Sequence, residues 1–211
     1  MKIMGLDLSS KSGYAILNDN SSIITYGTLL DAYGTDKVPS DLNKVTQEYK
    51  LIWKAKQVAR LIKEIVDKYQ PDSIYIERLP SGGFRATKEV LYFIHFAVLN
   101  ILEPKLVRYV EVSQWRSTLN IRLSKDQRNH NKDIKIKRKL SGKKTSKRGE
   151  GKITWKHLSV NKANEIFNLN LQLKDNDAAD ALLIALYGVT NGKESININP
   201  NIDLNEALSI K

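Results

Sequence analysis

The stretch Lys2-Ile3-Met4-Gly5-Leu6-Asp7-Leu8-Ser9-Ser10, followed by Gly13-Tyr14-Ala15-Ile16-Leu17, constrains this chain more than any other. It has the pattern of a buried strand, a tight polar turn and a second strand. One carboxylate stands inside the first apolar run. Burying an unpaired charge is expensive, so Asp7 needs a partner. In a chain with few other candidates, a metal ion is the obvious one.

The bulk composition narrows the setting. With 211 residues the chain can build one core and an insertion, but not two full domains. It has no cysteine, which excludes a disulfide framework and a thiolate zinc site and fits a reducing compartment. Three histidines are too few and too scattered for a His-rich metal site. No apolar run approaches the ~20 residues of a membrane span, and the start lacks a signal-peptide pattern. Nothing in the composition calls for a membrane partner.

The net charge is +11, and its location matters more than its size. Between Arg122 and Lys156 stand 14 Lys and Arg against three acids, leaving 20 basic and 20 acidic residues elsewhere. The whole excess therefore lies in one segment. Such clustering points to a polyanion such as nucleic acid; the plain alternative is a solvated surface loop.

Along the chain, residues 2–8, 12–17 and 22–29 read as three strands joined by short turns, an antiparallel meander. From about 41 to 69 the apolar residues recur every three or four, which predicts an amphipathic helix with Ser40 or Asp41 as its cap. Residues 73–77 form the next strand, parallel to the first because a helical crossover separates them. A helix over 87–102 follows, then a strand over 106–112 and a short helix capped by Ser113 with Trp115 and Leu119 inward. His95, on the apolar run of 87–102, reads as a structural histidine. Residues 121–157 show little periodicity and read as a basic insertion, with Trp155 as an anchor or a stacking platform. Helices over 159–169 and 175–188 complete the pattern, and 193–211 is an irregular tail. The fold class is α/β, a five-stranded mixed sheet flanked by helices. It forms a single domain over 1–192, interrupted at about 121–157.

Four acids then stand out. Asp7 and Glu77 lie on neighbouring strands, while Asp177 and Asp180 share one face in the first turn of the last helix. Each has a plain explanation alone: a strand-end charge for Glu77, an N-cap for Asp177, a helix-dipole partner for Asp180. Together they are oxygen ligands suited to a hard cation such as Mg²⁺ or Mn²⁺. Small apolar residues around Asp177 and Asp180 would let their helix lie tight on the sheet edge.

Gly5-Leu6-Asp7-Leu8-Ser9…Gly13-Tyr14-Ala15, Pro71-Asp72…Ile76-Glu77 and Asp177-Ala178-Ala179-Asp180-Ala181-Leu182 together resemble the RuvC family of Holliday-junction resolvases, within the RNase H-like superfamily. The resemblance covers residues 1–119 and about 158–190; the insertion and the Trp115-Arg116 region look more like phage-encoded members. It implies an RNase H-like fold and a crossover junction endodeoxyribonuclease that cuts four-way DNA junctions, leaving 5′-phosphate and 3′-hydroxyl ends. It also implies that Asp7, Glu77, Asp177 and Asp180 hold two Mg²⁺ ions, with Mn²⁺ as a substitute. Such enzymes act as homodimers on branched DNA, with no small-molecule substrate, in the cytoplasm of a bacterium or a phage-infected host, and helix 87–102 would supply the dimer face. Phe84, with Arg85 beside it, stands where the family often carries an aromatic that stacks at the junction centre. Lys143, Lys144, Lys147 and Arg148 are candidates to hold DNA phosphates.

Other readings remain open at this level. The first stretch also resembles the phosphate loop of the hexokinase and actin ATPase fold, but the chain is too short for that fold's second half. A non-catalytic nucleic-acid-binding module would not need four acids. A related nuclease acting on flaps, other branched DNA or RNA–DNA hybrids is the serious rival, since the acids do not reveal substrate shape.

Overall fold

The computed structural model describes residues 1–9, 11–29, 46–79, 85–103, 106–140 and 151–192. Strands β1 (Lys2–Asp7), β2 (Gly13–Asn18) and β3 (Ile23–Thr28) form the expected antiparallel meander. Helix α1 (Gln47–Tyr69) crosses over to β4 (Ser73–Glu77), which lies parallel to β1. Helix α2 (Arg85–Leu99) leads to β5 (Val107–Val110), parallel to β4. The sheet order is β3-β2-β1-β4-β5, a five-stranded mixed sheet with β1 at its centre. Helices α3 (Val112–Thr118), α4 (Lys125–Leu140), α5 (Trp155–Phe167) and α6 (Asn176–Asn191) follow. The predicted caps Ser40 and Asp41 lie outside the described residues, as do residues 193–211.

The sheet is buried on both faces, and β1 shows why. Met4 and Leu6 point to one side, with Ile16, Ile74 and Ile76 from its neighbours, and meet Val58 and Ile62 of α1 and Ile94 and Val98 of α2. Ile3 points to the other side, with Ala15 and Leu17, and meets Ala179, Leu182 and Leu183 of α6. Period-two alternation therefore sends Gly5 and Asp7 to the α6 side.

Helix α6 lies across the sheet face over β1 and β2, rather than along an edge as the sequence suggested. It comes unusually close. A Cβ on Gly5 would stand 2.2 Å from the Ala181 carbonyl oxygen and 2.4 Å from the Ala185 nitrogen; one on Gly13 would stand 1.8 Å from the Asp177 carbonyl oxygen. Both obstacles are backbone, which cannot turn aside. The glycines are what let the first two turns of α6 sit directly above the end of β1.

The described parts of the basic segment, residues 121–140 and 151–157, are more regular than its lack of periodicity suggested. Residues 125–140 form a helix, built largely from good helix formers. Its start is closed reciprocally: Gln127 N donates to Ser124 Oγ (3.1 Å) and Ser124 N donates to Gln127 Oε1 (2.9 Å). Asn131 pins it to the returning chain by two bonds with the Ile153 backbone, at 2.8 and 2.9 Å. Helix α5 then starts at Trp155, four residues before the predicted start, behind Thr154, whose hydroxyl lies 2.8 Å from His157 Nδ1. Glu111 rather than Ser113 precedes α3, its N–H donating to the Gln114 side chain at 3.1 Å.

The close approach of α6 is testable by adding one methyl group. Gly5→Ala should cost about 3 kcal/mol or more, lowering the thermal midpoint by roughly 6–12 °C. Gly27→Ala, whose Cβ would meet only the Tyr14 side chain at 3.2 Å, should lower it by less than half as much. Equal shifts in calorimetry would refute the close-packing account.

Candidate active site

The four predicted acids meet at one end of the sheet. Leu6 pairs with Ile76, so Asp7 and Glu77 stand side by side at the ends of two parallel strands. Both belong to the face that α6 covers. Asp7 also pairs with Gly13, and Gly13 is where the backbone of Asp177 rests. The turn between them is tied by Ser9 and Ser12: Ser12 Oγ donates to the Ser9 carbonyl at 2.7 Å, and Ser12 N donates to Ser9 Oγ at 3.1 Å. Ser9 Oγ in turn lies 3.5 Å from Asp177 Oδ2. Asp180, one turn on, is buried against α5. Asp7 is partly exposed rather than sealed within its strand, so the group remains reachable from outside.

The electrostatics register this crowding. Burial raises the Asp7 carboxyl well above its ordinary range, and the charges of Asp180, Glu77 and Asp177 raise it further, against the pull of Lys156. Burial and then Asp180 push Glu77 up to about 7, while Arg116 and the bond from Trp115 work the other way. Burial, with Asp177 adding to it, takes Asp180 to about 6 despite Ser159, Arg116 and Lys156. Asp180 Oδ1 is buried and accepts no hydrogen bond. Like charges this close cannot all ionise without added positive charge.

Several residues that the sequence did not single out for the site surround the acids. Trp115, expected only as an inward residue, is fully buried and donates its indole N–H to Glu77 Oε2 at 3.0 Å. The guanidinium of Arg116 lies between two indoles, 4.8 Å from the Trp115 ring and 5.1 Å from that of Trp155. Lys156 donates to Asn176 Oδ1 at 3.1 Å, and Asn176 Nδ2 donates to Asp177 Oδ1, so a cation is linked to that acid through an amide. Lys156 was hidden because its segment reads as irregular, while Trp155, read as an anchor or a stacking platform, was not tied to the acids; the first turn of α5 presents both.

Other predicted contacts fall elsewhere. Phe84, Lys143, Lys144, Lys147 and Arg148 lie outside the described residues; of Arg85 only the backbone, at the start of α2, is described. His95 is buried on the opposite side of the sheet. Its Nδ1 lies 3.1 Å from the Tyr109 hydroxyl, and burial lowers its pKa to about 4. It is structural, as the sequence indicated.

Among the described residues, no three acidic or histidine side chains close on a single point to make a finished metal cage. The donor set nevertheless fits a hard divalent cation. It is all carboxylate, its mutual repulsion is relieved only partly by Arg116 and Lys156, and one buried oxygen lacks a partner. Asp7, Glu77, Asp177 and Asp180 are the residues that would hold such an ion.

The five-stranded mixed sheet, its flanking helices and the acids at the ends of β1 and β4 define an RNase H-like fold. Among solved structures, the chain is similar to RuvC of Thermus thermophilus in complex with a Holliday junction substrate, with a TM-score of 0.60 at 12% identity over 92% of this chain and 96% of that one. A second Thermus thermophilus RuvC structure aligns with a TM-score of 0.57 at 13% identity and the same coverage. No family model matches the sequence, and no curated protein matches it. At such identities the likeness is one of fold. Among the described residues no helix is long and apolar enough to cross a membrane.

The raised pKa values give a stability prediction. Between an ordinary carboxylate pKa and about 7, the folded protein keeps a proton on Glu77 that the unfolded chain has lost. That contribution is present at low pH and disappears as pH rises through 7. Glu77→Gln, which keeps an acceptor for Trp115, should match the parent's stability near pH 4.5. Near pH 8, without divalent ions, it should exceed the parent by on the order of 2 kcal/mol. Adding Mg²⁺ at pH 8 should stabilise the parent more than the variant. Thermal melts showing no pH-dependent gap would refute the charge-crowding account.

Proposed function

We propose that this protein is a divalent-metal-dependent crossover junction endodeoxyribonuclease that resolves four-way DNA junctions. The observation that carries this reading is the adjacency of Asp7 and Glu77 on parallel strands, beneath Asp177 and Asp180 at the start of α6. The fold-level likeness to a RuvC solved with a Holliday junction supports the choice of substrate.

Mg²⁺, replaceable by Mn²⁺, would be held by the four carboxylates and would supply two-ion Lewis acidity for phosphodiester hydrolysis, giving 5′-phosphate and 3′-hydroxyl ends. The chain's own groups do the rest. Trp115 fixes the Glu77 carboxylate through its indole N–H. Lys156 and Asn176 orient Asp177. Arg116 and Lys156 place positive charge where an anionic phosphodiester must approach the acids. The exposed lysines of α4 contact DNA backbone and add affinity without sequence preference. The protein acts as a homodimer, so that two strands are cut symmetrically; exposed Tyr92, Phe96 and Leu99 on α2 support that helix as the shared face.

Substrate class is tested by comparing cleavage of a four-way junction, a flap, a plain duplex and an RNA–DNA hybrid with Mg²⁺. The junction should be cut fastest; preferred cleavage of the flap or hybrid would replace this reading with that of a related nuclease. Asp7→Asn should abolish cleavage while leaving junction binding within a few-fold, and cleavage that survives would rule out the carboxylate mechanism.

A second test concerns the basic helix. Lys132, Lys135 and Lys139 are exposed at spacings that place them on one stripe of α4. Replacing all three by Gln should reduce the slope of log affinity against log salt by about 1 per lost phosphate contact. An unchanged slope would remove α4 from the DNA interface.

A further inference from the structure

An open cleft of about 1110 Å³ is lined by Arg78, Arg116, Arg122 and Trp155, with Ser113 and Ser117. Arg78 directly follows Glu77, and Arg116 directly follows the tryptophan that bonds Glu77. Arg116 joins the two regions: it lines the cleft, and its charge acts on Glu77 and Asp180. The cleft's one acid, Glu111, is already paired with Arg78 at 2.8 Å, so the net charge of its walls is positive.

Trp155 sets the chemistry of the cleft. It is 47% exposed. The guanidinium of Arg116 lies over its ring at 5.1 Å and is itself backed by the buried Trp115 at 4.8 Å. The Nε of Arg116 is buried without a hydrogen-bond partner, so ring contacts rather than an acceptor hold that part of the group. The stack braces Trp155 from within and leaves indole surface open to the cleft. A rigid aromatic surface among cations suits a ligand that is both planar and anionic. A nucleotide has both properties, but within a duplex its base faces are covered by its neighbours. Only a nucleotide drawn out of the stack could use the Trp155 ring.

We propose that this cleft is a subsite for one unstacked nucleotide of the strand being cut, its base against Trp155 and its flanking phosphates on Arg122 and Arg116. The subsite rests on the endonuclease reading above and deepens it. It selects substrates that release a base easily beside the scissile phosphate, as branch points and unpaired ends do and continuous duplex does not.

The test uses the full chain carrying Asp7→Asn, so that DNA is bound without being cut. Four-way junctions carry a single 2-aminopurine at successive positions around the branch point. Such a probe is bright when unstacked and dim when stacked. In the parent and in Trp155→Phe, every position should stay dim on binding. In Trp155→Ala, one position should brighten several-fold, and junction affinity should fall about 5- to 150-fold, the range for losing one base-aromatic stack. Arg122→Ala, an exposed change, should weaken binding and lower the salt slope by about 1. Identical probe profiles and affinities in the parent, Trp155→Ala and Arg122→Ala would overturn the subsite; if the uncompromised enzyme still cuts junctions selectively, the endonuclease reading survives that loss. A Trp155-dependent signal on single strands, with no junction preference in binding or cleavage, would retain the subsite and overturn the resolvase reading. Competition by free deoxymononucleotide as effective as that by the junction would overturn the assignment to a DNA strand.

Discussion

The contact on which the site depends is backbone against backbone, where α6 rests on Gly5 and Gly13. Any other residue at either position would force the helix away from the sheet. With the helix down, its first two turns stand over the ends of β1 and β4. Asp177 and Asp180, distant in sequence from Asp7 and Glu77, then share one region with them. The alanines of α6 serve the same end, since a helix with long side chains could not lie so low. The packing that stabilises this half of the core thus also concentrates four acids.

That concentration opposes the fold electrostatically. Burial and mutual repulsion raise Asp7, Glu77 and Asp180 together, so near neutral pH the cluster either keeps protons or takes up positive charge. The chain supplies part of the latter through Arg116 and Lys156. Neither cation forms a direct ion pair with the acids among the described residues: Arg116 is held between indoles, and Lys156 reaches Asp177 through Asn176. Compensation of this indirect kind leaves the acids without a direct cationic partner among the described residues. A set of direct salt bridges would have neutralised the acids and removed their capacity to bind a cation.

Most of the architecture was legible in the sequence because its causes are local. Period-two runs marked the strands, the switch to a period of three and four marked α1, and the crossover rule placed β4 parallel to β1. Asp7 was found because a carboxylate inside an apolar strand needs an explanation, and Glu77 stood out only as one of a set of four acids. What escaped notice had a different origin. The basic segment lacks an apolar stripe, so periodicity could not detect α4, although the Ser124-Lys125-Asp126-Gln127 box that closes its start was present to be read. Missing α4 concealed the true start of α5, and with it the positions of Trp155 and Lys156. The Arg116 stack joins residues 115, 116 and 155, a long-range contact that no local pattern encodes.

Three consecutive pairs now link the acids to the cleft. Glu77 stands among the carboxylates while Arg78 lines the cleft. Trp115 bonds Glu77 while Arg116 reaches Trp155. Trp155 faces the cleft while Lys156 reaches Asn176 and, through it, Asp177. In each pair one backbone segment fixes both a group near the acids and a group in the cleft. The cleft and the carboxylates are thus built on the same three short segments. Residues 77–78, 115–116 and 155–156 therefore set the shape of both regions, although they lie far apart in the sequence.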